Sequence, residues 1–247
     1  MLNIKIDGAD LKKIDTALAS MKRQIPFATA LAITKISEQV KLDQKKSIIS
    51  IFDRPTRFTQ NSIFMEKATK TNLSSQVWLK DLETPRFQHY LEPQIYGGTR
   101  HRKGLEKLLN MKGHTSLPFL TPASGARRTA SGNVSAGQSN QILSALGAQR
   151  DSLANSTVRS KARNKAKRKN SFNNNYFVIK RKGRGLVPGV YQRTKKGRGV
   201  KPIYISVSNA NYSRRYDFFG IANKSIQGNA PRLVSEAIQR VINTAWR

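Results

Sequence analysis

YFVIKRKGRGLVPGVYQRTKKGRGVKPIYISV, residues 176–207, contains a near-repeat. Lys182-Gly183-Arg184-Gly185-Leu186-Val187-Pro188 returns 14 residues later as Lys196-Gly197-Arg198-Gly199-Val200-Lys201-Pro202. The segments before, between and after the copies are rich in Tyr, Val, Ile and Phe, the residues that favour a pleated surface. Each copy falls where a strand must reverse, and glycine adopts the positive φ that hairpin turns require. The stretch therefore predicts a three-stranded antiparallel meander over 176–181, 189–193 and 202–207.

The flanks of this meander read as helix. Toward the N-terminus, residues 2–6 alternate as a short strand and Asp7-Gly8 reads as a turn. Asp10 is the expected N-cap of a helix with the stripe Leu11, Ile14, Leu18, Met21 and Ile25. Pro26 either kinks that helix or starts a second one through Phe27, Leu31, Ile33, Ile36, Val40 and Ile48. A polar connection, FDRPTRFTQN at 52–61, leads to two strands, 62–68 and 76–80, around Thr71-Asn72. A short helix over 85–96, interrupted at Pro93, stops at Gly97-Gly98, and another follows at 102–111. Residues 113–140 are loop by composition, with a short helix closing at 141–146. Residues 155–175 hold seven Lys/Arg and six Asn and read as an exposed, mobile loop. Two helices are expected to close the chain, 218–226 and 231–246, the second with the stripe Leu233, Ala237, Ile238, Val241, Ile242 and Ala245.

This order of elements predicts an α+β fold rather than alternating βαβ units. Its expected architecture has long N-terminal helices packed on a mostly antiparallel sheet, C-terminal helices and a long basic loop insertion. The expected organisation is one domain, 1–247, with 113–175 as a loop-rich, mobile insertion. The first residues, MLNIKIDGAD, lack the basic and apolar regions of a secretory signal, and no apolar run approaches the ~20 residues that span a bilayer. A soluble protein with no membrane partner is expected. With no cysteine, disulfides and thiolate metal sites are excluded.

Charge narrows the function. From Lys107 to Tyr216 the chain holds 23 Lys and Arg against one carboxylate, Asp151, and this stretch carries +22 of the formal net charge of +31. Such a field repels itself and weakens a compact state, so it implies a strongly negative neighbour. Nucleic acid is the leading candidate, because binding its phosphates releases condensed counterions. The cations placed to meet phosphate are Arg159, Lys161, Arg163, Lys165, Lys167, Arg168 and Lys169 of the basic arm. To these are added Lys182, Arg184, Lys195, Lys196 and Arg198 at the hairpin tips. Aromatics do not interleave with them until Phe172, so contact with the backbone, without sequence reading, is expected. A solvated arm and tips that merely protect sheet edges are the plainer alternatives.

Catalysis finds little support. Two-metal hydrolysis needs several converging carboxylates, whereas the 14 acids are scattered and form no Asp-x-Asp or His-Glu-x-x-His pattern. Asp43 and Asp53 read better as solvated acids than as metal ligands. His89, His101 and His114 have neither Cys partners nor helical pairing, and no nucleophile elbow is present. No enzyme activity, catalytic residue, metal or cofactor is expected.

Four strings carry a resemblance: FDRPTRFTQNS from Phe52, YLEPQIYGGTR from Tyr90, LVPGVYQR from Leu186 and RYDFFGIA from Arg215. In this order they resemble the minor tail protein Z family of tailed bacteriophages, over most of the chain from about residue 52. The residues matching the family's pattern are Arg54, Pro55, Thr56, Pro93, Gly97, Gly98, Pro188, Gly189 and Asp217, and they imply shared architecture rather than chemistry. The resemblance implies a structural virion protein of the tail or neck, assembled in the host cytoplasm, that completes the tail and joins it to the head. Its implied partners are other copies of itself in a ring, the tail terminator or tail tube, the head–tail connector, and packaged double-stranded DNA. A free, non-specific RNA- or DNA-binding protein of ribosomal type is the alternative. Size in solution, and whether the chain purifies with tails or with ribonucleoprotein, separate the two.

Overall fold

The computed structural model describes residues 8–80, 89–159, 176–183, 185–193 and 199–245. The fold is α+β, and the chain divides into two compact units: Met1–His89 with Arg215–Arg247, and Tyr90–Arg214. The expected strand at 2–6 lies outside the described residues.

The first unit is built on two long helices, α1 (Gly8–Ile51) and a helix over Phe218–Ala245, the last of the chain. Pro26 was expected either to kink the first helix or to start a second, and the last helix was expected as two, 218–226 and 231–246; each is continuous, with Pro26 and Pro231 inside. A mid-helix proline removes one hydrogen bond and crowds the preceding turn. Mutual packing offsets that cost here. The buried positions of the last helix, Ser225, Leu233, Ala237 and Val241, fall at multiples of four, and those of α1 include Ala28, Ala32, Val40, Gln44 and Ile48. Rows of this spacing bring small side chains such as Ala28, Ala32 and Ala237 into one cluster. The helices run antiparallel, since Gln44 meets Phe218, Asp43 meets Ser225 and Lys35 meets Glu236.

Polar groups lock that pairing. The Gln44 amide donates to the Phe218 carbonyl at 2.7 Å, and its Oε1 accepts from the Tyr216 hydroxyl at 2.6 Å. Phe52 and Phe218 pack edge-on against the Tyr216 ring. Burial pushes the Tyr216 phenol well above its ordinary range. After α1, Thr56 caps α2 (Arg57–Gln60), and β1 (Ile63–Met65) pairs antiparallel with β2 (Val77–Leu79). Both strands pack on α1. Ile63 and Leu79, opposite each other in the register, are the buried pair.

The second unit begins with α3 (Glu92–Tyr96), β3 (Gly98–Thr99) and α4 (Gly104–Met111). Residues 113–140 are not all loop as expected: they contain β4 (Phe119–Pro122) and the start of α5 (Ala136–Leu146). The meander is present as β5 (Tyr176–Ile179), β6 (Gly189–Arg193) and β7 (Val200–Val207), all antiparallel. β4 adds a fourth strand, giving the order β4-β7-β6-β5. Pro122 is tolerated because β4 is an edge strand. Pro202, in an interior strand, lies where the β6–β7 register shifts between Val190 and Tyr191. Leu109, Leu120, Ile142, Val190 and Ile203 form the core beneath α4 and α5. A short strand, β8 (Asn211–Tyr212), pairs with β3. The Phe218–Ala245 helix of the first unit is α6.

Candidate nucleic-acid interface

The sheet unit buries one ion pair and presents many cations at its surface. Arg100 and Glu106 form a buried ion pair, their side chains 13% and 2% exposed. Glu106 Oε1 also accepts from the Leu120 N–H at 2.8 Å, and Oε2 from the Lys103 N–H at 2.6 Å. Arg100 stacks on the Phe119 ring at 5.2 Å. One carboxylate thereby ties the start of α4 to β4. Burial pushes the Glu106 carboxyl up, but bonds from Arg100 and from the two backbone N–H groups win and hold it below its ordinary range. The bond to Glu106 raises Arg100, while burial and then the Arg100 charge lower Lys103.

Among the described residues, none of the cations from Lys107 to Lys201 pairs with a carboxylate. Arg127, Arg128, Arg150, Lys180, Arg181, Arg193 and Lys201 are all exposed. Lys182 is exposed at the β5–β6 hairpin, where Gly183 and Leu186 exchange backbone hydrogen bonds of 3.1 and 2.9 Å. Arg159 is also exposed. The remaining predicted contact residues, Lys161, Arg163, Lys165, Lys167, Arg168, Lys169, Arg184, Lys195, Lys196 and Arg198, lie outside the described residues, as does most of the expected loop over 155–175.

The motif residues have structural work. Arg54 takes a positive φ of 45° and pairs with Asp53 at 3.1 Å. The Pro55 carbonyl accepts from the Gln60 amide, and Thr56 Oγ1 accepts from the Thr59 N–H. Pro93 is buried within α3, and Gly97 ends that helix at φ 80°. Gly98 opens β3 and pairs with Tyr212. Gly189, the expected first residue of the second meander strand, lies inside the sheet opposite Ile205. A Cβ there would stand 2.2 Å from the Tyr204 carbonyl oxygen, so only glycine fits. The Pro188 carbonyl accepts from the Ser206 N–H. Asp217 precedes α6, and its carboxylate accepts from the Gly220 N–H.

Two features of the helical unit went unseen in the sequence. The first is an apolar groove of about 420 Å³ between α1 and α6, whose walls include Met21, Ile25, Ile33, Ile36, Val234 and Ile238. Ile25 and Ile238, expected in buried stripes, are each more than half exposed. The second is a lysine-lined cleft between α1 and β1. Neither is readable from one helix alone, because each depends on which face the long helix turns toward its neighbour.

Among the described residues, no group of three or more His, Asp or Glu is placed to hold a metal, and no helix is long and apolar enough to cross a membrane. Comparison with models of known families, with curated proteins and with solved structures finds no match.

Proposed function

We propose that this chain is a non-enzymatic virion protein of a phage tail or neck. In this reading it completes the tail, joins it to the head and holds the DNA end through basic loops. The observation that carries the reading is the unbalanced charge of the sheet unit: among the described residues its exposed cations from Lys107 to Lys201 have no carboxylate partners, so they await an external polyanion. The four family-like strings supply the setting. The apolar groove between α1 and α6 supports assembly into a ring of copies, since a contiguous apolar surface marks a contact site. The tail tube or terminator and the head–tail connector are the further partners in this reading.

Replacing Lys161, Arg163, Lys165, Lys167, Arg168 and Lys169 by Glu tests the DNA contact directly. Particles carrying the variant should assemble and lose their packaged DNA. Normal retention would overturn the role. The ribosomal-type alternative predicts instead a monomer that purifies with ribonucleoprotein.

A further inference from the structure

The lysine-lined cleft of the helical unit has a volume of about 710 Å³. Lys41 and Lys45 reach it from one face of α1, being one turn apart, and Lys67 lines it from beyond β1. Lys45 Nζ donates to Asn61 Oδ1 at 3.0 Å. Lys41 and Lys80 stand over the Phe64 ring at 5.7 and 5.3 Å from its centroid. Phe64 is 40% exposed and sits opposite Trp78 in the β1–β2 register, with ring centroids 6.5 Å apart. Among the described residues, Glu38 is the one carboxylate lining the cleft, paired with Lys67 at 3.8 Å through side chains that are half or more exposed. Such a solvated pair is weak and yields readily to a better anion.

A ligand suited to this site must bring negative charge to several lysines and a flat apolar face to Phe64 and the exposed Leu42. Free phosphate offers only the charge. An acidic peptide offers charge without a flat face. Duplex DNA offers phosphates but keeps its bases stacked inside. A single strand offers both. A base stacked on Phe64 outweighs one exposed cation–π contact, and the flexible lysine it displaces is free to meet a phosphate.

We propose that this cleft binds single-stranded nucleic acid, with phosphates at Lys41, Lys45 and Lys67 and a base against Phe64. The site is separate from the basic arm and stands whether or not the chain belongs to a phage tail.

The test uses the full chain with bromodeoxyuridine-substituted oligo-dT, ultraviolet crosslinking and mass spectrometry. The crosslink should map to the peptide carrying Phe64 or Trp78. Phe64→Leu should weaken oligo-dT binding about tenfold while leaving duplex binding unchanged. Lys41→Gln, Lys45→Gln and Lys67→Gln together should lower the slope of log K against log salt by about 2. Lys22→Gln with Arg23→Gln serves as a charge control outside the cleft and should keep the Phe64 or Trp78 crosslink. Crosslinks confined to residues outside 38–80 would overturn the proposal, and because that readout uses the unmodified chain it stands even if a variant misfolds. So would displacement of the oligonucleotide by polyglutamate as effective as by unlabelled oligo-dT, which would show a site that responds to charge alone.

Discussion

The two units bury their apolar residues to different degrees. In the sheet unit the core closes: Leu109, Ile142, Val190 and Ile203 are fully buried. Its exposed apolar side chains, such as Met111, Leu153 and Val158, are scattered. The helical unit packs α1 against α6 through small residues and still leaves an apolar groove open. Scattered apolar exposure needs no explanation, whereas a contiguous groove between two long helices does. Charge divides them in the opposite sense. The helical unit pairs acids with bases at Lys35–Glu236, Lys46–Asp43 and Lys67–Glu38, while among the described residues the sheet unit's exposed cations from Lys107 to Lys201 have no carboxylate partner. One unit has an apolar surface to cover and the other a charge to neutralise, and the two needs call for different partners.

The sharpest way to break the comparison is to open the closed core. Glu106→Ala leaves Arg100 buried without its anion and should cost about 3–5 kcal/mol, measured as lost amide protection in β4 and β7. Little change would mean that the pair is not what closes the sheet unit. Gly189→Ala should come next, at roughly 2–3 kcal/mol, because the added methyl meets the Tyr204 carbonyl. Equilibrium urea unfolding reads it.

Acid should act on both units, and more on the sheet unit. The folded-state pKa values of Glu106 and Asp43 are both depressed. For Asp43, burial raises the carboxyl, but bonds from Ser225 and Gln39 and the nearby Lys46 outweigh it. A depressed carboxylate adds stability above its unfolded pKa and loses it as pH falls through the folded value. Stability should therefore drop below about pH 4. In Glu106→Gln the acid-dependent part of that loss should shrink, as followed by stability against pH. The smallest effect on folding belongs to Ile238→Asp at the groove. It should change stability by about 0.5 kcal/mol or less and yet abolish self-association in sedimentation equilibrium.

The strands of the meander were legible because β-favouring segments alternate with glycine turns at a fixed interval. β4 was not: Pro118 and Pro122 bracket Phe119-Leu120, and the surrounding Gly, Ser and Thr read as loop. The continuity of α1 and α6 was hidden by Pro26 and Pro231, since a proline in sequence gives no sign of the helix packing that offsets it. Exposed cations could be read from charge alone. The lysine cleft could not, because Lys41, Lys45 and Lys67 meet only after the β1–β2 hairpin packs on α1. The Arg100–Glu106 clamp was equally obscure, as its third member is a backbone N–H from β4.

The central claim joins the open groove and the unpaired charge to one setting, a ring of copies around DNA. A density map of intact particles at the tail–head junction tests it most directly. The account predicts several copies of this chain around the DNA channel, with the α1–α6 groove covered by the neighbouring copy and the basic loops of the sheet unit facing DNA. A junction that lacks the chain, or copies whose grooves stay open and whose basic loops face away from DNA, would contradict it.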